Sequence, residues 1–168
     1  MSERDDVDEM LVQWREQRPD LDSSGMAVVL RVLMLAGVFG ERLKTTLAPS
    51  GLAPWEYDVL SALRREGRAG GLTPGELCES AQLTSGAMTH RLDRLEERGL
   101  VRRRAGKTDR RSVTVILSAR GCSLVDSIVG SRMSDAAESL AAVSKKDRLE
   151  LARLLRLVNV GLKELEPE

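Results

Sequence analysis

The chain has 168 residues, of which 42% are hydrophobic and only 2% aromatic, with a formal net charge of zero. That length fits one ordinary domain, and a core so poor in rings must be packed from Leu, Val, Ala and Met, which favours helices. The two cysteines, Cys78 and Cys122, show no CxxC or Cys/His spacing, so neither a metal site nor a disulfide framework is indicated.

The neutral total hides a segregation. Residues 1 to 22 carry three arginines against eight acids, net −5, whereas residues 84 to 111 carry nine Arg/Lys against four acids, net +5. A local basic face of this kind suits phosphate, which global neutrality would disfavour. No run of 18 apolar residues marks a membrane span, and the acidic amino terminus is the opposite of a signal peptide. A cytoplasmic protein with no membrane partner is expected.

In chain order, residues 6 to 18 place Val7, Met10, Leu11 and Trp14 on one face of an amphipathic helix stopped by Pro19. Residues 24 to 48 are apolar on most sides, more buried surface than so small a domain needs, which suggests a partner chain. Pro49, Ser50 and Gly51 break that helix. Pro54 suits the first position of another, whose core face is Trp55, Val59, Leu60 and Leu63 and whose end is Gly67. Residues 68 to 71 read as a loop.

Thr73 and Glu76 form a capping box with Pro74 at the first helical position, opening a brief helix that gives way around Ala81 to Leu83. Thr84 or Ser85 caps a second helix, with Met88, Leu92 and Leu95 inward and Gly99 at its end. Val101 starts a strand. A return strand from Ser112 to Leu117 places Val113, Val115 and Leu117 inward against Thr114 and Ile116, and residues 105 to 110 form the hairpin tip. Ser118 caps a long helix through about Ala142. Ser144 opens the last one, where Leu149, Leu151, Leu154, Leu155, Leu157, Val158 and Leu162 again exceed what one monomer face requires.

A short helix, a tight turn and a second helix make a helix-turn-helix, whose second helix enters the major groove by its amino-terminal residues. Those residues are Thr84, Ser85, Gly86, Ala87, Thr89 and His90, small or hydrogen-bonding, with Arg94 one turn further on. The free N–H groups at Ser85 and Gly86 suit a phosphate. At the hairpin tip Lys107, Arg110 and Arg111 are long enough to enter a minor groove or hold the backbone. A capped helix followed by a charged one also occurs in proteins that bind no nucleic acid. Glu96 and Glu97, placed at the solvent end of the second helix, weaken a purely electrostatic reading.

The stretch LTPGELCESAQLTSGAMTHRLDRLEERGLVRRRAGKTDRRSVTVILSARG resembles the winged helix-turn-helix core of the MarR family of transcriptional regulators. The marks are LTPxEL, TSGxMTxRLDRLExRGLV, and DRR followed by an alternating strand and LSxxG; the likeness extends over residues 25 to 163. It implies a mainly α fold with a small β-wing. Residues 1–168 would form a single domain, with 54–117 as the DNA-binding lobe and 1–48 and 119–168 as a helical dimerisation region. It implies a homodimer, probing a palindromic stretch of double-stranded DNA as a repressor. It also implies that Asp109 fixes the wing and that Arg111 reaches the minor groove.

The amino terminus is similar to the urate-responsive branch of that family, through QWREQRPDLD followed by MAVVLRVLMLAGVFGERL. The resemblance implies an effector site made of Trp14, Asp58, Arg91 and Arg103. A flat purine anion would stack on Trp14, pair with Arg91 or Arg103, and meet Asp58, shifting the second helix. Alternatives stand beside this: Trp14 pins the added helix, Asp58 pairs with a surface Arg, Arg91 contacts phosphate, Arg103 sits on a solvated strand face, and the effector is another anion, a carboxylate metabolite or a phenolic. A cysteine redox sensor is a further alternative, but neither Cys78 nor Cys122 has an activating cation beside it in sequence. With one His, no Ser/His/Asp arrangement and no Gly-rich phosphate loop, an enzyme is not expected, nor a metal or cofactor.

Overall fold

The computed structural model describes residues 4–67, 70–81, 88–105 and 113–165, which form seven α-helices and one two-stranded antiparallel sheet. Helix α1 (Asp6–Gln17) opens on a reciprocal cap, Asp8 N–H donating to the Asp5 carboxylate at 3.0 Å and Asp5 N–H to Asp8 at 3.1 Å. Its buried residues, Val7 and Leu11, lie outside the main core, on a helix packed against α2 (Ser24–Leu47). Arg31 of α2 fastens the start of α1, reaching Asp5 and Asp8 at 2.8 Å each.

Helix α2 runs into a single 3-10 turn, Ala48–Ser50, closed by Gly51 at φ 62°. Helix α3 (Pro54–Glu66) starts on its proline and stops at Gly67, also left-handed at φ 60°, as the sequence spacing predicts. Val59, Leu60, Ala62 and Leu63 are buried, and Trp55 packs half-buried at the margin of the core. Helix α4 (Pro74–Ala81) has the expected capping box: Thr73 N–H donates to Glu76 at 2.8 Å and Glu76 N–H to the Thr73 hydroxyl at 3.2 Å. Helix α5 (Met88–Glu97) buries Met88, Leu92 and Leu95.

Strands β1 (Val101–Ala105) and β2 (Val113–Leu117) pair with Val101 opposite Leu117 and Ala105 opposite Val113. Leu72 adds a short bridge on the far edge of β2, exchanging both backbone hydrogen bonds with Val115. The predicted alternation of β2 holds at Val115, which is fully buried, and fails at Val113, which is 40% exposed. Val113 lies at the tip end of the hairpin, beyond the reach of the core. Ile116, expected outward, is half-buried because the chain at Gly71 and Leu72 passes over it.

Helix α6 (Ala119–Ser139) ends three residues before the expected Ala142, at a cap on Leu140. Ser118 fixes its start: its hydroxyl donates to the Gly99 carbonyl at 2.6 Å and accepts from Gly121 N–H at 2.9 Å, while Ser118 N–H donates to the Leu100 carbonyl. A Cβ on Gly121 would stand 2.0 Å from the Leu100 carbonyl oxygen. The LSxxG pattern is therefore a packing requirement, with Ser and Gly letting α6 sit against the start of β1. Helix α7 (Lys145–Leu165) is capped by Ser144 and Asp147.

One continuous core joins Leu47, Leu60, Leu72, Leu77, Leu92, Leu95, Leu100, Val115, Val125 and Ile128, drawing on α2 through α6 and both strands. The two longest apolar helices contribute little to it. Leu47 is the one buried residue of α2, and α7 has none. Their faces, Met26 through Phe39 and Leu149 through Leu165, stand open in the single chain.

Candidate nucleic-acid interface and effector cleft

Helices α4 and α5 are held over α3 by Leu77, Met88, Leu92 and Leu95, so their outer faces are fixed by the core beneath them. On α5, Thr89, His90 and Arg94 are exposed on the outward side, where the sequence places them. Thr84, Ser85, Gly86 and Ala87 lie outside the described residues, as do Lys107, Asp109, Arg110 and Arg111. Strand β1 presents Arg102 and Arg104 to solvent, two cations that the turn-centred reading of the hairpin passes over. The alternation of a strand was the available signal, since Arg103 between them points the other way.

Arg103 is a clamp. Its guanidinium donates to Asp93 at 2.6 Å and to Glu96 at 2.8 Å, and its backbone N–H donates to the other Glu96 oxygen at 3.0 Å. The hydrogen bond to Asp93, foremost, and both negative charges hold its pKa above the usual arginine value. Glu96 is therefore not a free solvent-end carboxylate but the strut joining α5 to β1. It offsets basic charge because its duty is to position the wing strand.

A second ionic joint lies beneath the first. Glu56 is only 2% exposed, accepts from Arg98 at 2.7 Å with both oxygens, and also accepts from Ala53 N–H at 2.8 Å. It ties the start of α3 to the end of α5. Nothing in the sequence spacing of Glu56 and Arg98 announces the pair.

Asp58, on the same helix, is half-buried and faces two cations, Arg91 of α5 and Arg132 of α6. Burial pushes its carboxyl pKa up, while Arg132 and then Arg91 pull it down. Arg91 and Arg94 both stack over the Trp55 ring, each with its guanidinium carbon 5.5 Å from the centroid. The Arg91 Nη1 nitrogen is buried and has no hydrogen-bond partner among the described residues. Arg132 continues outward to Asp135 at 3.3 Å, and Asp135 accepts from Arg42 of α2 at 2.8 Å.

Of the four residues grouped by resemblance, Asp58 and Arg91 come together, joined by Arg132, which the sequence reading did not single out. Arg103 is spent on Asp93 and Glu96. Trp14 is 56% exposed and lines a groove of about 260 Å³ with Leu11, Arg15, Leu21, Ser23 and Met26, at the amino-terminal end of α2. Cys78 and Cys122 are free and half-buried, Cys78 packing against the core. Among the described residues no group of three or more His, Cys, Asp or Glu could hold a metal ion. No helix there is long and apolar enough to cross a membrane.

Comparison with known proteins fits this geometry. The MarR family model matches residues 50–112, the stretch from the 3-10 turn into the hairpin. The chain is 30% identical over 157 residues to the HTH-type transcriptional regulator PecS of Dickeya dadantii (strain 3937), covering 94% of this chain and 95% of that one. It is 26% identical over 114 residues to MhqR of Bacillus subtilis (strain 168), covering 68% of this chain and 77% of the relative. AbsC from Streptomyces coelicolor superposes with a TM-score of 0.75 at 20% identity, over 86% of this chain and 97% of its own. The C80S mutant of MarR from E. coli, complexed with operator DNA, superposes with a TM-score of 0.69 at 24% identity, over 86% and 96%. With a winged helix-turn-helix in place and a relative of this identity aligned over nearly its whole length, the chain belongs to the MarR family of transcriptional regulators.

Proposed function

We propose that this DNA-binding regulator is a homodimeric repressor on a palindromic operator, weakened by a small anionic effector, urate or a related purine. The major groove is read by Thr84, Ser85, Gly86, Ala87, Thr89 and His90 with Arg94 behind, and Lys107, Arg110 and Arg111 meet the minor groove or backbone, with Asp109 bracing the hairpin tip. Residues 54–117 are the reading lobe, and 1–48 with 119–168 the dimerisation region. The protein acts where the DNA is, in the cytoplasm, and no chemistry on a substrate is involved.

The observation that carries effector control is Arg91 Nη1, a charged donor on the reading helix, buried beside half-buried Asp58 with no hydrogen-bond partner among the described residues. Buried donors are almost always satisfied, and an anion supplies the missing acceptor. An anion arriving there competes with Asp58 for Arg91, so Arg91 moves and α5 moves with it. Arg103 can join only by giving up Asp93 or Glu96, which would release α5 from β1. Trp14 supplies the stacking surface for a flat ring.

The test is thermal stabilisation of the protein across purines, aromatic acids and tricarboxylates, repeated with Trp14→Ala and Arg91→Ala. A urate shift of several degrees that both substitutions abolish supports the pocket, and one that survives both removes it. If only a carboxylate or phenolic stabilises the protein, the effector is of that class. Operator binding that weakens steeply with salt, less steeply for Arg111→Ala, separates reading of DNA from a purely structural role.

A further inference from the structure

We propose that Trp55 is a positioning residue for DNA binding, seating Arg94 against the operator backbone. This rests on the reading of Arg94 as a DNA contact. The three arginines of α5 inside the helix or at its end are held in different ways. Arg98, just past the helix, is spent on Glu56 at 2.7 Å and on the Gly51 carbonyl at 3.2 Å. Arg91 faces half-buried Asp58. Arg94 is exposed, and no carboxylate or carbonyl among the described residues accepts from it. The acids nearest to it on the helix, Asp93 and Glu96, both belong to Arg103. What holds Arg94 is the Trp55 ring, whose centroid lies 5.5 Å from the guanidinium carbon.

That kind of hold suits a phosphate contact. A salt bridge occupies the N–H groups of a guanidinium and offsets its charge, whereas stacking on a ring uses only its flat face. The N–H edge and the full positive charge of Arg94 are left for a phosphate, the kind of contact that fixes a protein's register on the duplex. The ring also restricts a long side chain that would otherwise lose its rotamer freedom on binding.

Trp55 is itself firmly placed. It follows Pro54 in the first turn of α3 and packs half-buried at the margin of the core. The next residue, Glu56, caps the same turn through Ala53 N–H and is gripped by Arg98. The turn that carries the ring is thereby tied to the end of α5, so ring and arginine keep their register. Arg91, one turn before Arg94, meets the same ring at the same 5.5 Å. Two like charges on one ring repel, so each side chain limits where the other can lie.

Operator affinity measured against salt separates seating from packing. Arg94→Ala should lower the slope of log affinity on log salt by about one per reading head and weaken binding about tenfold at physiological salt. Trp55→Met, which fills similar space without an aromatic face, should reproduce most of the affinity loss and of the slope change. Trp55→Phe keeps a ring and should lose less than about threefold. In the Arg94→Ala background Trp55→Met should cost nothing further, because the ring then has nothing to seat. Losses that multiply in the double variant overturn the proposal. So does a Trp55→Met protein with natural affinity, or one whose loss is equal at every salt concentration, the mark of packing alone. Natural affinity and slope in Arg94→Ala show instead that Arg94 does not touch DNA, and the proposal falls with that reading. Melting curves establish that each variant is folded. Should Trp55→Met not fold, Trp55→Phe carries the same cycle: its smaller loss should vanish in the Arg94→Ala background, and a loss that persists there overturns the proposal.

Discussion

A charged nitrogen buried without an acceptor costs more than the roughly 1–3 kcal/mol of a neutral donor, so Arg91, whose Nη1 has none among the described residues, must be placed by something stronger than its own hydrogen bonding. That placement comes from the Trp55 ring on one side and Asp58 on another. Arg91→Ala is expected to abolish the effector response while leaving the fold intact, read as operator binding that no longer weakens with urate. Asp58 carries a pH consequence. Its folded pKa is raised above the unfolded value, so between the two the native state binds more protons, and stability falls as pH rises through that window. Replacing it by Asn should remove this slope. The melting temperature of Asp58→Asn should match the natural protein near the unfolded aspartate pKa of 3.8 and equal or exceed it at neutral pH. Calorimetric melting at both ends of the range checks the sign. The residue types at Asp58 and Arg91 were legible from resemblance, whereas Arg132 was not. It sits on α6, more than 70 positions downstream of Asp58, and no local pattern marks it.

At the scale of elements, two carboxylates decide how α5 is held. Glu56 is buried, and removing its partner would leave that charge uncompensated, which typically costs 3–5 kcal/mol when the pair is fully enclosed. Arg98 is partly exposed, so Arg98→Ala is expected to cost about 2–3 kcal/mol, measured as the shift in the urea midpoint. Glu56→Leu should be milder, because it removes the buried charge along with the pair. Arg103 is more open and its loss should cost only about 1 kcal/mol of stability. Its effect should appear instead in operator affinity, since α5 and β1 lose the strut that sets their angle. Arg103→Ala is expected to weaken operator binding about tenfold, with Arg103→Lys intermediate because a lysine cannot fork between two carboxylates. Gly121→Val should be severely destabilising, because Leu100 backbone occupies the space its side chain needs. Capping boxes, proline starts and glycine stops were legible at this scale because each is written within four residues. The lateral ties Glu56–Arg98 and Arg103–Glu96–Asp93 were not, being fixed by how α3, α5 and β1 pack.

For the whole molecule, the governing fact is uncovered apolar surface on α2 and α7. Exposed apolar patches of this extent mark an interface. Leu33→Glu, near the centre of the α2 patch, and Leu157→Glu on α7 should each yield monomers in sedimentation equilibrium. Operator affinity should fall at least a hundredfold if, as proposed, two linked reading heads share a palindrome.

The sequence by itself determined the kind of molecule: helical, winged, basic at the reading face and apolar where a partner belongs. Those properties are periodic or local, so spacing, caps and charge segregation record them directly. Only the tertiary structure decided which charges meet. It gave Arg103 to Asp93 and Glu96, gathered Asp58 with Arg91 and Arg132, and set Trp14 at the far end of α2 from them. Contacts between distant residues depend on how rigid helices are stacked. A residue's neighbours along the chain carry no record of that stacking.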